Sequence, residues 1–227
     1  MSERRVHGFT CSPDRLWGLV GSGQDPAEVL GDAARDAVAD LDHHLRRSGS
    51  GLTTAGLARD VLAGRPAEEH ADDLARLLVP VLASVGAPAG DPGVIWLQDT
   101  MFLDWEPVLE ELGLGALAAS WGVADVAWPW PRGTRPRAHW PVVTELAPGA
   151  PAAVAAEFGR QTASGEPRWS EMLAGLDDDA FVDDDGDPVD DPEDVREELA
   201  EHLDRLAGWV AGTPEGCSLF LVTDGDL

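Results

Sequence analysis

The stretch DPEDVREELAEHLDRLAGWV, residues 191–210, decides the fold. Asp191 and Pro192 supply the N-cap and first-turn proline with which helices begin. The apolar side chains that follow recur at i, i+4, i+8, i+11 and i+14/15, which defines one buried helix face; they are Val195, Leu199, Leu203, Leu206, Trp209 and Val210. Gly212 ends the helix, and CSLFLVT (217–223) then predicts a buried terminal strand.

The N-terminal half of the chain predicts a strand followed by amphipathic helices. RVHGFTC (5–11) is the strand, and SPD (12–14) begins the first helix. DPAE (25–28) again supplies an N-cap and a first-turn proline, and it predicts a helix that continues through Leu45. Further helices are expected over residues 54–62 and from Pro66 to Val85, the latter kinked at Pro80.

The remaining segments complete an α+β pattern. GVIWL (93–97) predicts a short strand, and a helix capped by Asp104 follows. Residues 116–121, 151–161 and 168–173 predict short helices, and 141–151 an extended segment and turn. We therefore predict a helix-rich α+β single domain over residues 1–227, with a small sheet that includes the N- and C-terminal strands, and an acidic loop at 177–191.

Composition narrows the possible partners. The 227 residues carry a formal net charge of −26 at pH 7, from 42 acidic and 16 basic side chains. Phosphate contacts need a basic face, and an anionic membrane surface repels an acidic protein. These numbers argue against nucleic-acid and membrane partners, and they favour a basic protein if the partner is charged.

Several kinds of chemistry lack their residues. All 16 basic side chains are arginine, so lysine-dependent mechanisms and a lysine-containing phosphate loop are excluded. The six histidines are scattered without metal-ligand spacing. His202 follows Glu198 by four residues, and we expect these two to form a pair on a helix surface. The sequence predicts no cofactor and no metal, and it assigns no catalytic residue.

The N-terminal residues contain no apolar run typical of a secretory signal, and no stretch reaches the length of a membrane span. Cys11 and Cys217 are expected to be reduced thiols. The two cysteines could lie close together only if their segments were neighbouring strands. These features predict a cytoplasmic protein.

The stretch WPWPRGTRPRAHWP (128–141) is the most unusual in composition. Its prolines favour an extended backbone, and arginines flanked by indoles could form an anion site or a binding hot spot. The candidate binding residues are Trp128, Trp130, Arg132, Arg135, Arg137, His139 and Trp140. The favoured interpretation is a long loop anchored on the core, with Trp128 and Trp140 largely buried and Arg135 and Arg137 at the surface.

The run LDDDAFVDDDGDPVDDPED (176–194) suggests calcium at first sight. If Gly186 were the turn glycine of an EF-hand loop, Phe181 and Pro192 would stand at the first and last ligand positions, where neither can coordinate calcium. The favoured interpretation is a solvated acidic loop; contact with a basic protein and a looser metal site are the alternatives. The candidate loop residues are Asp183, Asp184, Asp185, Asp187, Asp190 and Asp191.

Three segments resemble an uncharacterised bacterial family, domain of unknown function 7691. They are GFTCSPDRLWGLVGSGQD (8–25), LARDVLAGRPAEEHADDLARLLVPVLASVGA (57–87) and PRAHWPVVTELAPGAPAAV (136–154). The resemblance implies an early strand, a helix pair joined through Gly64-Arg65-Pro66, and a C-terminal helix that leads into an apolar strand. The acidic insert at 177–191 departs from the family pattern, and the resemblance implies no activity.

Three functions follow as hypotheses. The favoured one is a non-enzymatic immunity or inhibitor-like protein that binds a basic partner through complementary charge. The second is a hydrolase or transferase whose site lies near residues 128–141 and combines His139 or an arginine with carboxylates. The third is a small-molecule sensor in which tryptophans form an aromatic box.

Overall fold

A computed structural model describes residues 4–97, 100, 103–121, 142–162, 169–183 and 186–225. At its centre is an antiparallel sheet of β1 (Arg4–Cys11), β2 (Ala87–Pro88), β3 (Val94–Leu97), β4 (Val142–Leu146) and β5 (Ser218–Gly225). The strand order is β2-β1-β5-β4. Along the edge of β1 that faces away from β5, β3 pairs with Arg4 to His7 and β2 pairs with Phe9 and Thr10. Both terminal strands lie in this small sheet, which confirms the predicted helix-rich α+β fold.

Helices cover both faces of the sheet. Along β5, Leu219 and Leu221 face one helical layer, whereas Phe220 and Val222 face the other. All four side chains are at most 2% exposed. Because neither face of the strand meets water, its sequence is a continuous apolar run instead of the apolar–polar alternation of a half-exposed antiparallel strand.

The N-terminal helices form the first layer, over the face that carries Phe9 and Phe220. They are α1 (Pro13–Trp17), α2 (Pro26–Val29), α3 (Arg35–Ser48), α4 (Thr54–Leu62), α5 (Ala71–Arg76) and α6 (Leu78–Val85).

The second and fourth predicted helices are each divided. A 3₁₀ turn at Asp32–Ala34 follows Gly31 and separates α2 from α3, so the prediction of one helix through Leu45 was wrong; glycine has a low helix propensity. A kink was expected at Pro80; instead the helix is interrupted at Leu77, between α5 and α6. Proline has no N–H for the carbonyl four residues earlier and crowds the preceding turn, which places the break N-terminal to the ring.

The remaining helices form the second layer, over the face that carries Val6 and Leu221. They are α7 (Trp105–Glu111), α8 (Gly115–Ala118), α9 (Ala150–Thr162), α10 (Trp169–Ala174) and α11 (Pro192–Ala211). The six apolar residues predicted for the inner face of α11 are all buried. As predicted, Asp191 is its N-cap, and its Oδ1 accepts a hydrogen bond from the Asp194 N–H at 3.4 Å.

Two glycines allow α11 to lie close to the sheet. The Trp209 indole packs against Gly8 of β1 and Gly90 of the turn before β3. A Cβ atom at either glycine would stand 2.6 Å from ring atoms of Trp209, well inside van der Waals contact. The absence of a side chain at these positions therefore sets the depth to which α11 is inserted.

The two cysteines belong to neighbouring segments. Cys11 at the end of β1 is opposite Ser218, so Cys217 immediately precedes the paired residue of β5. Both are free thiols, Cys11 buried and Cys217 half-buried. Burial raises the pKa of the Cys11 thiol above its ordinary value. Cys11 therefore has the environment of an inert core residue.

An acidic groove beside α11

The candidate residues of the Trp/Pro/Arg stretch lie outside the described residues. These are Trp128, Trp130, Arg132, Arg135, Arg137, His139 and Trp140. The burial expected for Trp128 and Trp140 therefore falls outside the described residues as well. The binding role and the burial proposed for this stretch stay predictions.

The acidic loop is described in part. Asp184 and Asp185 lie outside the described residues, and Asp187, Asp190 and Asp191 are exposed. Asp183 is half-buried, and its Oδ1 accepts a hydrogen bond from the Asp187 N–H at 2.9 Å. Isolated bridges pair Leu103 with Asp183 and Val182 with Pro188. The described part of the loop is thus attached to the domain and presents several of its carboxylates to solvent.

Next to this loop, a groove of about 750 Å³ lies between α10 and the first half of α11. Its apolar lining comes from Ala174, Leu176 and Ala200. Among the described residues, five carboxylates and one guanidinium also line it. All five carboxylates are exposed; they belong to Asp177, Asp178, Glu193, Glu197 and Glu201. The groove is within the size range of ligand sites.

Among the described residues that line the groove, the one guanidinium is that of Arg196, and internal contacts occupy it. Its Nε donates to the Leu173 carbonyl at 3.1 Å and its Nη2 to the Leu176 carbonyl at 3.2 Å. Nη2 also contacts Asp178 Oδ1 at 2.5 Å, and the guanidinium stacks over the Phe181 ring at 4.5 Å. Arg196 therefore ties α10 to α11 and compensates one carboxylate, which leaves the groove with an excess of negative charge.

The helical wall of the groove was missed by the sequence interpretation, which concentrated on the aspartates of the loop. Glu193, Glu197 and Glu201 follow i, i+4 and i+8 spacing, so they form one stripe on α11. The spacing of the three glutamates alone would have predicted this acidic face of the helix. The opposite wall, which includes Ser170 and Ala174, depends on how α10 packs and has no signature of its own in the sequence.

On another side of α11, the expected surface pair of Glu198 and His202 is a buried contact, and the prediction was wrong. The His202 side chain is 5% exposed and that of Glu198 is 15% exposed, with His202 Nε2 3.6 Å from Glu198 Oε1. His202 lies between Leu199 and Leu206 on the inner face of the helix, which explains its burial. Its ring stacks on Trp105, with centroids 5.8 Å apart and 10° between planes.

The polar partners of His202 come from β3 and from residue 100. Its Nε2 lies 3.1 Å from the Trp96 carbonyl oxygen, and its Nδ1 lies 3.4 Å from Thr100 Oγ1. Glu198 Oε2 accepts the Thr100 N–H at 2.7 Å. Burial is the largest influence on the imidazole and lowers the pKa of His202, against the raising effect of Glu198.

This order of carboxylate, imidazole and hydroxyl has the residue types of an acid–base relay, but its geometry does not favour catalysis. Thr100 is fully buried, so its hydroxyl is not presented to a substrate. The better hydrogen bond of His202 Nε2 is to the Trp96 carbonyl, which cannot exchange a proton with it. Trp105 is also stacked on Trp121, with ring centroids 4.5 Å apart, which leaves no space for a ligand between those two indoles.

Among the described residues, no group of three or more His, Cys, Asp or Glu side chains is arranged to hold a metal ion. No helix within the described ranges is long and apolar enough to span a bilayer.

No family model, curated protein or solved structure matches this chain. The resemblance to domain of unknown function 7691 accordingly remains a prediction.

Proposed function

We propose that this protein binds a basic protein segment in the groove between α10 and α11, as an immunity or inhibitor-like protein would. The observation that carries the proposal is the groove itself, in which exposed carboxylates surround an apolar strip and Arg196, the arginine among the described lining residues, is internally paired. Arginine side chains suit such a site, because their methylene stems pack on apolar surface while the guanidinium reaches a carboxylate.

The net charge of the chain supports the same partner. A formal charge of −26 attracts a basic protein over long range and accelerates its association, whereas the groove supplies the local contacts that determine orientation. The exposed Asp187, Asp190 and Asp191 precede Glu193, the first glutamate of the groove, by two to six residues in the chain, and they add to the acidic surface.

The like charges of the glutamate stripe repel one another along α11, and this repulsion supports a role in binding. Glu193 and Glu197 are an i, i+4 pair of like charge, as are Glu197 and Glu201. Each such pair destabilises a helix by about 0.2–0.5 kcal/mol. A cationic partner would remove this repulsion, so the stripe is better suited to a bound state than to the isolated helix.

The proposal is tested with an alternating Arg-Ala peptide of about a dozen residues as the probe. Isothermal titration calorimetry compares the full chain with the triple variant Glu193→Gln, Glu197→Gln, Glu201→Gln. Exposed ion pairs contribute about 0.2–1 kcal/mol each, so losing three should weaken binding by about 1–2 kcal/mol, roughly tenfold. Raising the salt concentration should reduce the difference between the two proteins.

The matched control neutralises three exposed carboxylates away from the groove: Asp60→Asn, Glu110→Gln and Glu111→Gln. It changes net charge by the same amount and should weaken binding by less than about twofold, since only the long-range attraction is reduced. Equal losses in the two triple variants would show that overall charge alone attracts the peptide, and the groove would then have no role.

A further inference from the structure

Arg196 lies on α11 between the glutamate stripe and the buried face of the helix. It follows Glu193 by three residues and precedes the buried Leu199 by three, so its side chain extends sideways from α11 toward α10. That side chain is 16% exposed, which is low for an arginine, a residue type that is mostly exposed in proteins. The contacts of the guanidinium account for this burial.

These contacts reach residues 173–178, the end of α10 and the turn that follows it, which we call the α10 turn. Arg196 Nε donates to the Leu173 carbonyl at 3.1 Å, and Nη2 donates to the Leu176 carbonyl at 3.2 Å. The last carbonyls of a helix lack their usual partners within it, and an arginine side chain can supply them. Nη2 also donates to Asp178 Oδ1 at 2.5 Å, so the three contacts span the whole α10 turn.

An aromatic contact fixes the plane of the same guanidinium. It lies over the Phe181 ring, 4.5 Å from the centroid, and Phe181 is fully buried. Because a guanidinium is planar and its donors point in fixed directions, holding its plane also holds the directions of its hydrogen bonds. Arg196 therefore sets the position of the α10 turn relative to α11.

The α10 turn carries much of the second wall of the groove. Leu176, Asp177 and Asp178 line the groove from this turn, whereas the glutamate stripe lines it from α11. A cation between the walls meets carboxylates from both only while the turn keeps its position. If the turn were loose, binding would have to order it, and fixing the backbone of a single residue lowers an equilibrium constant by about five- to thirtyfold.

The charge of Arg196 has the opposite effect on a basic partner. Its guanidinium repels a cation in the groove and neutralises Asp178. Exposed ion pairs change affinity by about 1.5- to fivefold, so charge alone predicts that removing Arg196 strengthens the binding of a basic segment by about that factor. The loss of order in the α10 turn predicts a larger change in the other direction.

We propose that Arg196 is a positioning residue for the basic partner, because it holds the α10 turn opposite the glutamate stripe, and that this contribution exceeds the repulsion from its own charge. The proposal rests on the proposed function, since it concerns the same groove. It assigns a supporting role in cation binding to a residue that has the same charge as the partner.

Isothermal titration calorimetry with the Arg-Ala peptide tests the sign of this effect in the full chain. Arg196→Gln should bind the peptide about threefold more weakly than the wild type or worse, although the groove has become more negative. Arg196→Lys keeps the net charge and should also weaken binding, because an ammonium cannot contact both carbonyls and stack on Phe181. If Arg196→Gln does not fold, the lysine variant decides the question. An affinity equal to or above that of the wild type in the deciding variant would overturn the proposal.

The matched control is Thr54→Val, which lies in the first helical layer, on the other side of the sheet from α10 and α11. It removes the hydroxyl that donates to Asp42 Oδ1 at 2.7 Å, and it leaves the net charge unchanged. This variant should bind the peptide as tightly as the wild type. A loss of affinity in Thr54→Val equal to that in Arg196→Gln would show an effect of overall stability and would also overturn the proposal.

Backbone ¹⁵N relaxation of the free protein gives a readout that overall stability does not change. In Arg196→Gln, residues 173–178 should become more mobile than in the wild type, whereas residues 193–201 should not. Unchanged mobility over 173–178 would contradict the positioning role.

The triple glutamate variant separates this proposal from the proposed function. Weaker binding by that variant, together with tighter binding by Arg196→Gln, would keep the groove as the binding site and overturn only the role of Arg196. Equal losses in the triple variant and its matched control would overturn the proposed function, and the role of Arg196 in binding with it.

Discussion

Replacing Gly8 with alanine should destabilise the protein, because the new methyl group would overlap Trp209. The Cβ atom would stand 2.6 Å from both Cε3 and Cζ3 of the indole. Carbon atoms in contact prefer about 3.5–4.0 Å, so α11 or the strand must shift by about 1 Å. Such overpacking costs about 1–3 kcal/mol, and the gain from replacing a strand glycine offsets about 0.5–1 kcal/mol of it. The expected net loss is about 1–2 kcal/mol in the free energy of unfolding.

Urea unfolding followed by far-ultraviolet circular dichroism measures this loss. The control is Gly208→Ala, at an exposed position of α11 where a Cβ would meet nothing within 4 Å; it should stabilise the protein by about 0.5–1 kcal/mol. In a Trp209→Leu background, which removes the overlapping ring atoms, Gly8→Ala should cost much less than in the wild type. A Gly8→Ala variant as stable as the wild type, or one whose cost is unchanged in that background, would refute the packing argument.

Three further outcomes follow from the fold. Asp42→Ala should cost about 1–3 kcal/mol in urea unfolding, because Asp42 Oδ1 accepts both the backbone N–H and the hydroxyl of the buried Thr54; a loss below about 0.5 kcal/mol would contradict this. Phe220→Ala, at a fully buried position of β5, should cost about 3–5 kcal/mol in the same assay, and a loss under about 1 kcal/mol would show that β5 is not central to the core. Iodoacetamide at neutral pH should alkylate Cys217 before Cys11, as mass spectrometry of the peptides can show, because burial both shields Cys11 and raises its pKa; equal labelling of the folded protein would contradict that environment.

The features that could be predicted from the sequence are those with short-range causes. The inner face of α11, the terminal strand β5 and the side-chain caps of α2, α4, α7 and α11 each depend on residues close together in the chain. Sequence patterns of this kind identified the strands at both ends and the α+β class. They could not identify β2, whose two residues have no pattern of their own and become a strand only by pairing with Phe9 and Thr10.

The environment of His202 shows where local reasoning fails. Its spacing from Leu199 and Leu206 places it on the inner face of α11, but its chemical type suggested a surface pair with Glu198. The partners that make its burial possible, the Trp96 carbonyl and Thr100, are 106 and 102 residues away in the chain. A buried histidine requires polar partners, and these are recognisable only once the strand edge and the helix are adjacent.

Only one wall of the acidic groove could be predicted from the sequence. Its helical wall could be read from the spacing of Glu193, Glu197 and Glu201, whereas the wall formed by α10 depends on the contacts of Arg196 with the Leu173 and Leu176 carbonyls. The candidate residues of the stretch 128–141 lie outside the described part of the chain, so the enzyme and sensor hypotheses that depend on them stay predictions.

The measurement that tests the proposed binding role most directly is a map of backbone amide shifts in the ¹⁵N-labelled full chain during titration with the Arg-Ala peptide. A peptide seated between α10 and α11 should produce its largest shifts over residues 170–178 and 193–201, with small shifts around the exposed Glu110 and Glu111 of α7. Shifts spread evenly over the acidic surface, or largest at α7, would contradict the assignment of binding to the groove.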